Sequence, residues 1–208
     1  MADNVNSPKG LIPVGKMGGV YDGRVNMYLC PASDGTAVII GDPVTLNGSA
    51  GAAGTVVNGI DVEGMPTVIQ NTIVSTPVGV VVAFLPDFTD LTAKHRKAST
   101  ARIALVADDP DAVFEVQEDS LVSTLKAADV GESADLIIGT GSATTGLSQT
   151  MLDSTSHAST GKTARILRLA PKVGNAMGDG TVTGSTAILY AKWLVTFAEH
   201  QYKSADGV

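Results

Sequence analysis

The groups that could do chemistry are few and badly spaced for it. The histidines are His95, His157 and His200, with no two at metal-ligand spacing, and one cysteine, Cys30, cannot build a thiolate zinc site. No serine stands in a Gly-x-Ser-x-Gly elbow, so a nucleophile held on a strained turn is not indicated. Gly161-Lys162-Thr163 has the ending of a phosphate-binding loop. Ser156, however, occupies the place of its first glycine, and the polar run Asp153–His157 replaces the strand that should precede it. Gly139 and Gly141 start like a dinucleotide loop, but the next glycine comes late, at Gly146, and no helical pattern follows. Asp108-Asp109-Pro110-Asp111 lacks the alternating oxygens and closing glutamate of a calcium loop and reads as a turn whose carboxylates cap amides. Glu115, Glu118 and Asp119 fall on an expected strand and its exit, facing solvent. The residues therefore predict no catalytic constellation, no metal and no cofactor.

Such side chains would have to be carried by strands. The chain has 208 residues, of which 24 Val, 11 Ile and 21 Thr make 56, and β-branched side chains pack best on pleated surfaces. Short β-prone runs alternate with Gly, Asn, Asp and Pro: 24–29, 37–40, 44–46, 55–60, 67–75, 78–85, 102–106, 112–116, 135–138, 164–169 and 186–197. The expected fold is all-β, mainly antiparallel, a β-sandwich or barrel of jelly-roll or β-tulip type with at most one or two short helices. Ser120–Asp129 is the one stretch that reads as helical, with Leu121, Val122 and Leu125 on one side. Residues 1–19, broken by Pro8, Gly10, Pro13, Gly15, Gly18 and Gly19, read as an extended N-terminal arm, and residues 20–208 as one β-rich domain. Removing the arm should leave that domain folded.

Charge sets the class of partner. The net charge of −7 disfavours free nucleic acid, which needs a basic surplus to neutralise phosphates. Nine aromatics in the whole chain disfavour a sugar- or base-stacking platform. The N-terminus shows no apolar signal region, and the longest apolar run, Val78–Leu85, is far short of the roughly 20 residues a membrane helix needs, so synthesis in the cytoplasm and no membrane contact are expected. Between Val25 and Pro86 the only charged residues are Asp34, Asp42, Asp61 and Glu63. Strands this poor in charge lose both faces to packing, either within the chain or between subunits. Lys94-His95-Arg96-Lys97 follows as the one dense basic cluster, a candidate docking patch for an acidic surface.

RIALVADDPDAVFEVQED (Arg102–Asp119), the long passage Ala128–Leu169, the closing WLVTFAEHQYKSADGV (Trp193–Val208), GDPVTL (Gly41–Leu46) and PVGVVVAF (Pro77–Phe84) form a layout that resembles the head decoration proteins of tailed bacteriophages, also called cement proteins. The resemblance implies a non-enzymatic virion protein on the outer surface of an icosahedral head. It would be a homotrimer that clamps neighbouring major capsid subunits and stabilises the expanded capsid. Capsid contacts are then expected from the arm (Lys9, Leu11, Ile12, Lys16) and from the basic cluster (Lys94, Arg96, Lys97). Another virion role, as a tail-tube or fibre-associated β-protein, shares the same composition.

Overall fold

In the computed structural model, described over residues 4–72, 75–183 and 187–204, the chain is nearly all β. Fifteen strands run in chain order: β1 Ile12–Lys16, β2 Gly19–Val20, β3 Asn26–Cys30, β4 Pro43–Ala50, β5 Val56–Val57, β6 Ile60–Asp61, β7 Pro66–Gln70, β8 Gly79–Phe84, β9 Arg102–Ala107, β10 Ala112–Gln117, β11 Ser133–Ala134, β12 Leu136–Ile137, β13 Met151–Leu152, β14 Ala164–Leu169 and β15 Lys192–Phe197. Five of them close a small barrel in the order β3-β7-β4-β8-β9, sealed by antiparallel pairing of β9 with β3 from Asn26↔Val106 to Cys30↔Arg102. The only parallel contact in the barrel is Leu29↔Thr67, between β3 and β7. A six-stranded sheet in the order β11-β14-β15-β10-β1-β2 lies beside it.

β8 explains the missing charge. Strand side chains alternate between faces, and in Gly79–Phe84 Val81 enters the barrel core with Tyr28, Cys30, Val44, Val68 and Val106. Its neighbour Val80 points the other way, into the core of the six-stranded sheet with Phe114, Ile166, Trp193, Val195 and Phe197. One strand thus serves two cores of the same chain, which is why it carries no polar face. On the far side of the barrel, Leu29 and Ile103 are covered by Val57 and Val62 of the β5–β6 hairpin and its exit. That hairpin was expected as one strand. Its turn, Asn58-Gly59, has both residues at positive φ (49° and 78°), the two-residue turn that reverses a strand with the right twist.

The segment expected as a free arm belongs to the body. β1 is an interior strand, paired with β10 on one side and β2 on the other, and the Pro13/Gly15 irregularity is absorbed as a bulge. Leu11, 1% exposed, sits in the core of the six-stranded sheet. Gly10 and Gly41 let the segment cross the barrel. Leu11 N–H donates to Gly41 O at 2.9 Å, and a Cβ on Gly10 (φ 71°) would lie 2.4 Å from that same oxygen. Deleting residues 1–19 would therefore take a strand out of the sheet, contrary to the expectation that the β-rich domain stays folded without them.

The expected helix at 120–129 is also absent. Only Ala127–Asp129 form a single 3-10 turn. Two buried carboxylates organise the segment instead. Glu118 Oε2 accepts from Leu125 N–H (2.9 Å) and Trp193 Nε1–H (3.2 Å), and its Oε1 accepts from Ser120 Oγ–H (3.1 Å) and Ala191 N–H (3.3 Å). Asp119 Oδ1 accepts from Ser154 N–H and Oγ–H. Drawing Leu125 N–H onto Glu118 forces Ser120 to φ 51° and leaves Leu121 and Val122 exposed. Glu118 and Asp119, with Glu115 bonded to Lys172, are thus buried and do not face solvent. Residues 37–40 make bridges only, and the last strand begins at Lys192, with 186 outside the described residues.

Candidate functional site

The N-terminal ribbon exposes several apolar side chains. Leu11 is turned into the core, while Ile12 and Val14 of β1, Met17 in the turn and Val20 of β2 are exposed. Val20 is 86% exposed on the edge strand. Beside the ribbon lies an apolar cleft of about 530 Å³ between the sheet and the barrel, lined by Lys9, Ile12, Tyr21, Val25, Val82 and Leu147 among others. Lys9 is exposed at its lip. Lys16 is held to Asp109 at 2.9 Å across the start of β10, so it braces the ribbon and its charge is partly spent. That pairing is half exposed and worth little by itself.

The basic cluster is taken apart by the fold. Arg96 is fully buried and is a structural residue, which removes it from the expected contact set. Its Nε–H donates to Thr100 O at 2.7 Å, Nη1 to Asp34 Oδ2 at 3.1 Å and to Thr36 O, and Nη2 to Asp34 O at 2.8 Å and to Pro31 O. All five N–H groups of the guanidinium are thereby used. Lys97 pairs with Asp90 at 2.7 Å, and Lys94 Nζ donates to Thr144 O at 2.8 Å. Lys9, Ile12, Lys16, Lys94 and Lys97 remain reachable from solvent; Leu11 and Arg96 do not.

Close to the cluster, the loop 86–95 displays Phe88 and Leu91, both more than two-thirds exposed. Asp87–Thr89 and Asp90–Thr92 side-chain turns shape this loop. Arg102 ties it down by donating to Leu85 O, Ala93 O and His95 O. Nothing in the sequence flagged it, because each side chain involved is an ordinary turn or strand residue.

The buried polar groups are internal. Asp42 Oδ1 accepts from Ser148 Oγ–H at 2.5 Å and its Oδ2 from Ile39 N–H and Gln70 Nε2–H, while burial pushes its carboxyl above the usual range. Burial does the same to Glu118, against four donors that favour its ionised form. Cys30, fully buried at the end of β3, has its thiol pushed up to about 12 by burial, which makes it inert. One group with metal-ligand chemistry occurs among the described residues: Asp129, Glu132 and His157.

Against known proteins the chain stands apart. It matches no family model, no curated protein and no solved structure. Its exposed apolar features include the ribbon with its cleft and the loop carrying Phe88 and Leu91.

Proposed function

We propose that this chain is a structural protein of a tailed-phage virion, binding the outside of the head as a homotrimer and clamping neighbouring major capsid subunits. The observation that carries the reading is the exposure of the apolar residues Ile12, Val14, Met17 and Val20 on a ribbon built into the sheet. A contact made there loads the hydrogen-bonded sheet through β10, not a flexible tail, so a subunit gripping at the ribbon resists displacement. Burying such side chains stabilises by about 25 cal/mol per Å² of apolar surface, before the costs of association. Three such contacts on one trimer reinforce one another through effective concentration. Binding the assembled lattice and not its separated parts then stabilises the lattice by mass action.

The test is co-sedimentation with undecorated, expanded heads, using the wild-type chain and an Ile12→Asp/Val20→Asp variant whose circular dichroism and melting match wild type. Saturable binding at one trimer per three-fold position, lost in the variant, is the expected result. Wild-type protein that fails to bind matched heads refutes the reading. Ring or tube assembly in solution would instead favour a tail component.

A further inference from the structure

The turn at residues 127–132 and the loop 153–158 are sequence-distant, yet the fold locks them together. Ser133 and Ala158 exchange two backbone hydrogen bonds, each 2.8 Å, and Gly131 and Ile166 N–H groups tie the turn to β14 by donating to Ile166 O and Glu132 O. This fixes the backbone of three potential ligands from both sides. Asp129 is 3% exposed; its Oδ2 accepts from Lys126 N–H at 2.9 Å, and its Oδ1 faces the imidazole of His157, 3.9 Å from Nδ1. Glu132 Oε2 lies 2.7 Å from the same Nδ1. The three ligand atoms fall within 4.8 Å of one another.

Charge balance points beyond a hydrogen-bonded trio. Two carboxylates face one imidazole, so even a protonated His157 leaves the group at −1. Among the described residues no Lys or Arg pairs with either acid; Lys162, the nearest in sequence to His157, is engaged by Asp135. Asp42, Asp119 and Glu118 are as buried, but each accepts from two or more donors, whereas Asp129 accepts from the Lys126 N–H and faces His157, so a cation would complete its coordination. A divalent ion with neutral His157 brings the sum to zero. We propose that Asp129, Glu132 and His157 form a binding site for a divalent transition metal of the zinc type. One nitrogen and two oxygen donors suit such an ion better than Mg²⁺ or Ca²⁺, which prefer all-oxygen shells. Tetrahedral ligation at about 2.0–2.2 Å sets neighbouring ligand atoms roughly 3.3–3.6 Å apart, so the 2.7 Å contact opens by roughly 0.6–0.9 Å and the 3.9 Å contact closes by roughly 0.3–0.6 Å. The remaining position falls to water or to a partner's side chain. The ion would clip the 127–132 turn to the 153–158 loop at the β11 edge of the sheet.

The experiment uses untagged, chelator-treated full chain titrated with Zn²⁺ by calorimetry, with Co²⁺ absorption to report the coordination shell and Ca²⁺ as the oxygen-site control. Expected are one-to-one Zn²⁺ binding, a raised melting temperature and a Co²⁺ spectrum of low coordination number. His157→Ala should weaken binding by more than the roughly 10- to 100-fold that losing an outer-sphere partner costs, and Glu132→Gln should weaken it too. Both side chains are partly exposed, so folding of these variants is not at issue. No Zn²⁺ binding by the wild-type chain, equal binding by His157→Ala, or equal affinity for Ca²⁺ overturns the proposal.

Discussion

Arg96→Met separates a structural arginine from a docking one. Methionine fills much of the space but donates nothing, leaving the carbonyls of Pro31, Asp34, Thr36 and Thr100 and the Asp34 carboxylate without their guanidinium. Breaking a buried ion pair by removing one partner costs about 3–5 kcal/mol. Counted instead as four carbonyls at about 1 kcal/mol each, the loss falls in the same range. With a urea slope of about 2 kcal/mol/M, the unfolding midpoint should drop by about 2 M. Cys30 supplies a local gauge, because it is fully buried and chain-adjacent to Pro31, one of the acceptors. If this corner opens about 4 kcal/mol more easily, native-state labelling of the thiol accelerates about a thousandfold, at 1.4 kcal/mol per tenfold. Arg96→Lys, with three donors in no fixed fork, should fall between the two. A methionine variant that unfolds within about 1 kcal/mol of wild type and labels no faster would refute the reasoning.

The remaining expectations concern the other buried groups. Glu118→Gln turns an amide NH₂ toward two of the four donors that converge there, and should destabilise by about 2–4 kcal/mol with a change in Trp193 fluorescence. A neutral outcome would show that the carboxyl is protonated in the native protein. Gly10→Ala should lower the melting temperature by at least about 4 °C, since a left-handed backbone and a 2.4 Å approach to Gly41 O both oppose a Cβ; unchanged melting would place the crossing elsewhere. Burial holds the His200 imidazole below its ordinary 6.5. The unfolded chain therefore takes up that proton first, and this share of stability is full above about pH 6.5 and lost as pH falls below it. The gap between urea midpoints at about pH 7.5 and 5.5 should shrink in His200→Asn, and an unchanged gap would exclude His200 as its source.

Strands whose two faces both meet apolar neighbours were legible, because nothing else explains runs such as Gly79–Phe84. What misled was punctuation. Pro13 and Gly15 read as breakers, yet a bulge admits both into an interior strand, where Pro13 lies opposite Phe114. Leu121, Val122 and Leu125 have helical spacing, but Glu118 claims the Leu125 amide, and a carboxylate seven residues away leaves no trace in periodicity. The basic cluster at 94–97 looked like surface because its sequence neighbours are polar. Only the return of the chain at 31–36 turns Arg96 inward. The exposure of the apolar residues from Ile12 to Val20 left no sequence signal, because the Pro and Gly around them read only as an extended arm. His157 could not be joined to Asp129 and Glu132 by spacing, because the Ser133–Ala158 bridge does the joining.

The order of the six-stranded sheet also sets when the ribbon can exist. β1 pairs with β10, and β10 in turn pairs with β15, whose residues Lys192–Phe197 are near the end of the 208-residue chain. The barrel strands all lie between Asn26 and Ala107 and can close while the rest is still being made. The sheet must wait for β15, which lies between β14 and β10 in space and is the last of its strands in sequence. Until β15 is made, β10 lacks one of its two partners, and the ribbon paired to β10 rests on a sheet still open on that side.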